Sequence, residues 1–193
     1  MEDTVRAFIA IELDAVIQAQ LGGVIRDLIN CAPPKVKWSP EKNMHLTLKF
    51  LGDVQTWEVI TLQQMIRNCA NQSKSFRTNL TRLGAFPSVN NPRVVWVGLS
   101  DNGDLTRLAR TIEEGSRKIG FDAEEKGFTP HLTLGRVKPD ITPQERSNLS
   151  ACINSTPLPS FSPILIQSIT LFQSILKPGG AEYTALSTSR FNH

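Results

Sequence analysis

His45-Leu46-Thr47-Leu48 and His131-Leu132-Thr133-Leu134 are the same four residues, met twice in one chain. Given a histidine, ordinary residue frequencies would supply Leu-Thr-Leu after it roughly once in a thousand times or less, so chance is a poor explanation. Each copy opens a β-prone run, HLTLKFL from His45 to Leu51 and HLTLGRV from His131 to Val137. Successive side chains of a strand alternate faces, so each histidine and its threonine point one way and the two leucines the other. The leucines then anchor the strand in a core while an imidazole and a hydroxyl project together into a cleft.

The elements around the two motifs repeat in order. Arg6 to Leu13 (RAFIAIEL) reads as a strand, and Asp14 as the N-cap of a helix whose apolar positions Ile17, Leu21, Val24, Ile25, Leu28 and Ile29 recur at helical spacing. The helix runs to Cys31, and Pro33 and Pro34 stop it. After the first motif, Gly52-Asp53 is expected to close the strand, Trp57 to Asn71 suits a helix and Phe76 to Leu83 a strand. The second half begins with a strand at Arg93 to Leu99 and a helix marked by Leu105, Leu108, Ala109, Ile112 and Ile119, with Gly120 at its C-cap. Beyond the second motif, Thr142-Pro143-Gln144-Glu145 is a capping box, Ile164 to Ser174 is strand-like, and Tyr183 to Arg190 follows the turn Lys177-Pro178-Gly179-Gly180 as a closing strand. No low-complexity linker separates the halves, and Ser88 to Pro92 is an ordinary bend. The reading is one α+β domain over residues 1–193, bilobal and internally duplicated, with pseudo-repeat halves of about 1–87 and 88–193.

Composition sets wide bounds. A chain of 193 residues with 40% apolar content supports a core, and its formal net charge of +3 permits nucleic acid without the dense basic tracts of a protein that wraps a duplex. A substrate held mainly at one phosphate needs only a few cations. The opening residues Met1 to Arg6 include acidic side chains, and no apolar run is long enough for a membrane helix, so a cytoplasmic protein without membrane association is expected. Cys31, Cys69 and Cys152 are odd in number and far apart, which suggests neither a disulfide framework nor a cysteine metal site and fits a reducing compartment.

Two imidazoles facing each other across a phosphorus suit in-line displacement, in which the nucleophile loses a proton on one side and the leaving group gains one on the other. Histidine does either near neutral pH, and the threonine hydroxyls can donate to the non-bridging oxygens. A two-histidine metal site is the competing reading. It needs a third or fourth ligand, and the chain offers no H-E-x-x-H, no cysteine pair and no further internal histidine.

These blocks resemble the 2H phosphoesterase superfamily, and within it the RNA 2′,3′-cyclic phosphodiesterase family long named for 2′-5′ RNA ligase activity. The resemblance is carried by Arg6 to Ile11, by Asn43 to Gly52 around the first motif, by Arg93 to Gly98, and by Phe128 to Arg136 around the second. It implies a bilobal fold with one motif per lobe, two antiparallel-rich sheets lining a central cleft, and helices outside. It also implies hydrolysis of a terminal RNA 2′,3′-cyclic phosphate to a 2′-phosphate, with no metal or nucleotide cofactor; a monomer is the separate expectation. In the roles the resemblance implies, His45 is the proton donor to the departing 3′ oxygen, His131 is the proton acceptor from water, and Thr47 and Thr133 bind phosphate. Arg136 matches a phosphate contact of the family, yet strict alternation puts it on the face of Leu134, so it needs a bend at Gly135 to reach the site.

Phe50, Trp38 and Tyr183 are candidates to stack on a terminal base, with core packing as their expected role. Arg93 and Trp96 are read as structural and left out of the site. Three other functions stay open: a 2′-5′ RNA ligase working by reversal of transesterification, since no G-x-x-x-x-G-K-[ST] loop for ATP is present; a diesterase for another cyclic or 2′-5′-linked nucleotide; and a catalytically silent module that binds RNA ends.

Overall fold

Asp14 caps the first helix, two residues past the first strand, in the computed structural model of the protein, which describes residues 4–124, 127–178 and 180–192. β1 (Thr4–Glu12) leads into α1 (Ala15–Cys31), where the Asp14 carboxylate accepts the Ile17 amide at 2.8 Å and satisfies one of the donors a helix start leaves unpaired. β2 (Val36–Trp38), β3 (His45–Gln55), α2 (Val59–Asn71), β4 (Phe76–Thr78) and β5 (Leu80–Ser88) follow. Then come β6 (Asn91–Leu99), α3 (Asp104–Lys118), β7 (His131–Val137), α4 (Pro143–Ser155), β8 (Ile164–Ile166), β9 (Ser168–Lys177) and β10 (Gly180–Arg190). The Thr142–Glu145 capping box forms as read, with both reciprocal bonds made and Pro143 in the first turn. Met1 to Asp3, Gly179 of the expected Lys177–Gly180 turn, and His193 lie outside the described residues.

Each motif strand lies inside an antiparallel group. One group is β10-β9-β1-β3 and the other is β7-β6-β5 with β2 on the far side of β7. The groups meet where β3 pairs with β7 at a single register position, Leu46 opposite Leu132, so the sheet is continuous through the two motifs. α2 packs on β9 and β10 and α3 on β3, whereas α4 packs on β5 and β6 with α1 against α4. Spatial neighbourhoods therefore interleave along the chain: the group holding His45 draws β9 and β10 from the carboxy-terminal end. Leu46, Leu132 and Leu134 are fully buried, and Leu48 nearly so, in the core shared by both groups.

Four expectations are corrected. β3 does not close at Gly52-Asp53 but continues to Gln55, because Gly52 takes the left-handed φ of 73° at a register irregularity that re-aims the strand instead of ending it. Phe76 to Leu83 is two strands, β4 pairing with β8 in a separate ribbon and β5 with β6, divided where Thr78 turns inward to donate to the Ser100 carbonyl at 2.6 Å. Ile164 to Ser174 is likewise split into β8 and β9. Finally, Cys31 and Cys152 form a disulfide with Cα atoms 5.6 Å apart, joining the end of α1 to α4. Their sequence separation of 121 gave no hint of it, because helix packing alone brings them together. Cys69 is the free, buried thiol. No helix among the described residues is long and apolar enough to cross a membrane.

Candidate active site

A one-residue bulge shapes both motif strands at the same place. Ile9 pairs with Lys49 and Ala10 with Thr47, so Leu48 has no partner on β1. On β7, Val95 pairs with Gly135 and Trp96 with Thr133, so Leu134 has none on β6. An extra residue resets the alternation of faces. His45, Thr47, His131 and Thr133 stand half-buried on the open face, the leucines stay in the core, and the residue after each bulge also turns inward. Phe50 and Arg136 then face outward with the histidines. This is the bend Arg136 requires, placed at Leu134 and accommodated by Gly135, where a Cβ would meet Trp38 and Val36 side chains at 2.7 and 2.8 Å.

Each imidazole is held by the same device. His45 Nδ1 lies 2.9 Å from the Asn43 carbonyl and His131 Nδ1 lies 2.7 Å from that of Thr129, in both cases two residues upstream. A carbonyl only accepts, so Nδ1 carries the hydrogen and donates it, which leaves Nε2 of each ring as the atom that takes or gives a proton. Asn43 is in turn fixed by its amide donating to the Ala181 carbonyl on β10 at 2.8 Å. The antiparallel sense of the Leu46–Leu132 pairing puts Thr133 on the His45 side and Thr47 on the His131 side. Neither threonine hydroxyl has a hydrogen-bond partner within the protein among the described residues, so both are free to donate to a ligand.

Aromatic rings frame the histidines. Phe8 lies 4.7 Å from His45 between centroids and Tyr183 meets the same ring edge-on at 5.1 Å, with Phe172 stacked on Phe8 at 5.2 Å. Phe86 meets His131 edge-on at 4.8 Å, and Trp96 lies 6.4 Å away. Burial among these rings is the main reason that the His45 pKa is lowered to about 4; the Asn43 bond works in the other direction, and the Arg136 charge adds to the lowering. His131 is lowered too, again chiefly by burial, opposed by Thr129 and aided by Arg136. Arg136 thus acts on both rings from one position.

The five residues read from sequence, His45, Thr47, His131, Thr133 and Arg136, come together on one face. Phe50, expected in the core, is instead 57% exposed. Tyr183 and Trp38 are half-buried, the first against His45 and the second over Gly135. Trp96 is buried as expected yet borders the site, and exposed Arg93 lies within β6 and not at its end. Phe8 and the carbonyls of Asn43 and Thr129 fall inside the blocks that carry the family resemblance but have no role assigned by it, and Phe86 and Phe172 have no sequence signal beyond their position in or beside strands. A groove of about 370 Å³ lined by Gln64, Asn68, Thr111 and Lys118 belongs to the α2–α3 layer and includes none of these residues.

A family model described as LigT like phosphoesterase matches the chain twice, over residues 11–96 and 97–183. An RNA 2′,3′-cyclic phosphodiesterase of Archaeoglobus fulgidus is 32% identical over 181 residues, 94% of this chain and 97% of the relative. One from Methanothermobacter thermautotrophicus is 31% identical over 186 residues, 96% of this chain and 98% of the relative. The crystal structure of E. coli LigT complexed with 3′-AMP superposes with a TM-score of 0.78 at 26% identity, covering 99% of this chain and 100% of that one. With two matched copies, each carrying one of the histidine motifs described above, the chain belongs to the LigT like phosphoesterase family.

Proposed function

We propose that the protein hydrolyses a terminal RNA 2′,3′-cyclic phosphate to a 2′-phosphate by two-histidine acid–base catalysis without a metal ion. The observation that carries this reading is the matched pair of imidazoles, each with Nδ1 committed to a backbone carbonyl and Nε2 left for proton transfer, with Arg136 acting on both. The names of the relatives support the substrate class.

In the proposed reaction His131 Nε2 takes a proton from water as its oxygen bonds to phosphorus. The bond from phosphorus to the 3′ oxygen breaks, and that oxygen takes a proton from His45 Nε2. Thr47, Thr133 and Arg136 hold the non-bridging oxygens, where charge grows in the transition state. His45 must be protonated to act as donor, and burial opposes this. The incoming phosphate anion offsets Arg136 and raises the ring's proton affinity, so substrate itself prepares the acid. Among the described residues no group of three or more His, Cys, Asp or Glu side chains is placed to hold a metal.

Determining the phosphate position on the product of a short RNA with a 2′,3′-cyclic end tests the reading. A 2′-phosphate is expected; a 3′-phosphate would reverse the leaving group. Binding of the RNA end without turnover would make the site a recognition module, and joining of two RNA ends in preference to hydrolysis would favour ligation.

A further inference from the structure

Arg136 has a neighbour that this chemistry does not use. Lys37 on β2 pairs directly with Arg136 on β7, and cross-strand partners share a face of the sheet. The residues on either side of Lys37 confirm its direction: Val36 and Trp38 stand over Gly135 on the inner face, and Val36 is part of the core. Lys37 is therefore exposed beside Arg136 on the face that carries both histidines. Its Nζ also lies 3.8 Å from where a Cβ on Gly180 would stand, so the side chain reaches from β2 to the first residue of β10, the strand that brings Tyr183 to His45.

The charges at this rim are unevenly matched. Lys177 is paired with Glu182 at 2.6 Å, and Lys42 also acts on that carboxylate. Lys37 and Arg136 form no ion pair among the described residues. Two unpaired cations on adjacent strands repel each other, and a ligand bearing two neighbouring anionic groups neutralises both. An RNA end has that pattern, a cyclic phosphate on the terminal ribose and a phosphodiester on the 5′ side of the same nucleoside. A free nucleoside cyclic phosphate has only the first.

We propose that Lys37 forms a second phosphate subsite that takes the phosphate on the 5′ side of the terminal nucleotide, so that the protein favours polymer ends over free cyclic mononucleotides. The inference rests on the phosphodiesterase reading above. The test is steady-state hydrolysis of three substrates by wild type, Lys37→Ala and Lys37→Arg: a nucleoside 2′,3′-cyclic phosphate, the same compound with a 5′-phosphate, and a short oligoribonucleotide with a cyclic end. The ratio of kcat/KM with the 5′-phosphate to kcat/KM without it should fall about tenfold in Lys37→Ala, the size of one charge-assisted contact, and recover in Lys37→Arg. The slope of log kcat/KM against log salt for the oligonucleotide should shrink by about one. An unchanged ratio in Lys37→Ala would overturn the subsite while leaving the phosphodiesterase reading intact. A wild type that turns over none of the three substrates would sink both.

Discussion

Phe50 and Arg136 occupy the same position in the two motif strands, each turned to the open face by the bulge at the leucine two residues before it. The duplication thus puts a cation on one side of the site and an exposed ring on the other, with Phe50 6.1 Å from the Phe8 that packs on His45. Replacing Arg136 with Met should lower kcat/KM about 100-fold, the usual scale for losing one donor to a developing charge. Phe50→Ala should raise KM for nucleotides by about tenfold through lost base stacking and leave kcat nearly unchanged. Equal loss of kcat in both variants, in steady-state assays, would contradict this division.

The free protein should work best on the acid side of the ordinary histidine pKa. Both site histidines are lowered, His45 to about 4, so the bell-shaped profile of kcat/KM should centre below pH 6.5 whichever ring is the acid. Because Arg136 lowers both rings, Arg136→Met should move both limbs upward. An optimum well above pH 7 would show that burial does not govern these rings.

The same shift bears on stability. Between about pH 6.5 and 4 the unfolded chain protonates His45 while the folded protein leaves it neutral, so stability should fall as pH falls through that window, by up to about 3 kcal/mol at its lower end. His45→Gln should flatten this part of the curve in denaturant melts at stepped pH.

Lys49 takes the place in the first motif that Gly135 takes in the second, and the bulge drives it inward. It is 3% exposed and donates to Glu113 at 2.7 Å and to the Asp122 carbonyl at 2.8 Å. Lys49→Ala removes a buried stem and one partner of Glu113, which is 28% exposed and still accepts the Glu124 amide, and should cost about 2 to 3 kcal/mol, whereas a Lys49→Met/Glu113→Leu pair should recover most of it. Urea titration separates the two, and equal losses would mean that packing matters more than charge.

What the sequence made legible was local. The alternation in HLTL, the Asp14 cap and the Thr142–Glu145 box each depend on a few adjacent residues, and they placed the motif strands, the helix starts and four of the site residues, whereas Arg136 came only from the family resemblance. The bulge in β3 was not legible, because strict alternation in HLTLKF sends Lys49 outward and Phe50 inward, the reverse of what pairing with β1 imposes. The break at Thr78, the rings of Phe172 and Tyr183 beside His45, and the Cys31–Cys152 bond all depend on contacts between distant segments, which no local pattern encodes.

That disulfide ties α1 to α4 across a long loop, so its loss should be felt in stability before activity. Reduction, or Cys31→Ser with Cys152→Ser, should lower Tm by about 10 °C, since a cross-link of this span contributes about 3 to 5 kcal/mol. Thermal melts with and without reductant, paired with thiol labelling of the protein before reduction, check this. A reactive thiol at Cys31 in the untreated protein would contradict the bond.

The most direct test of the two-histidine mechanism is hydrolysis of a short RNA ending in a 2′,3′-cyclic phosphate, in EDTA and without ATP, by wild type, His45→Ala and His131→Ala. The account predicts wild-type turnover that falls by about 10⁴-fold or more in each variant, with the double variant hardly worse than either. Activity that disappears in EDTA and returns with a metal ion, or a single-histidine variant that keeps most of its turnover, would contradict it.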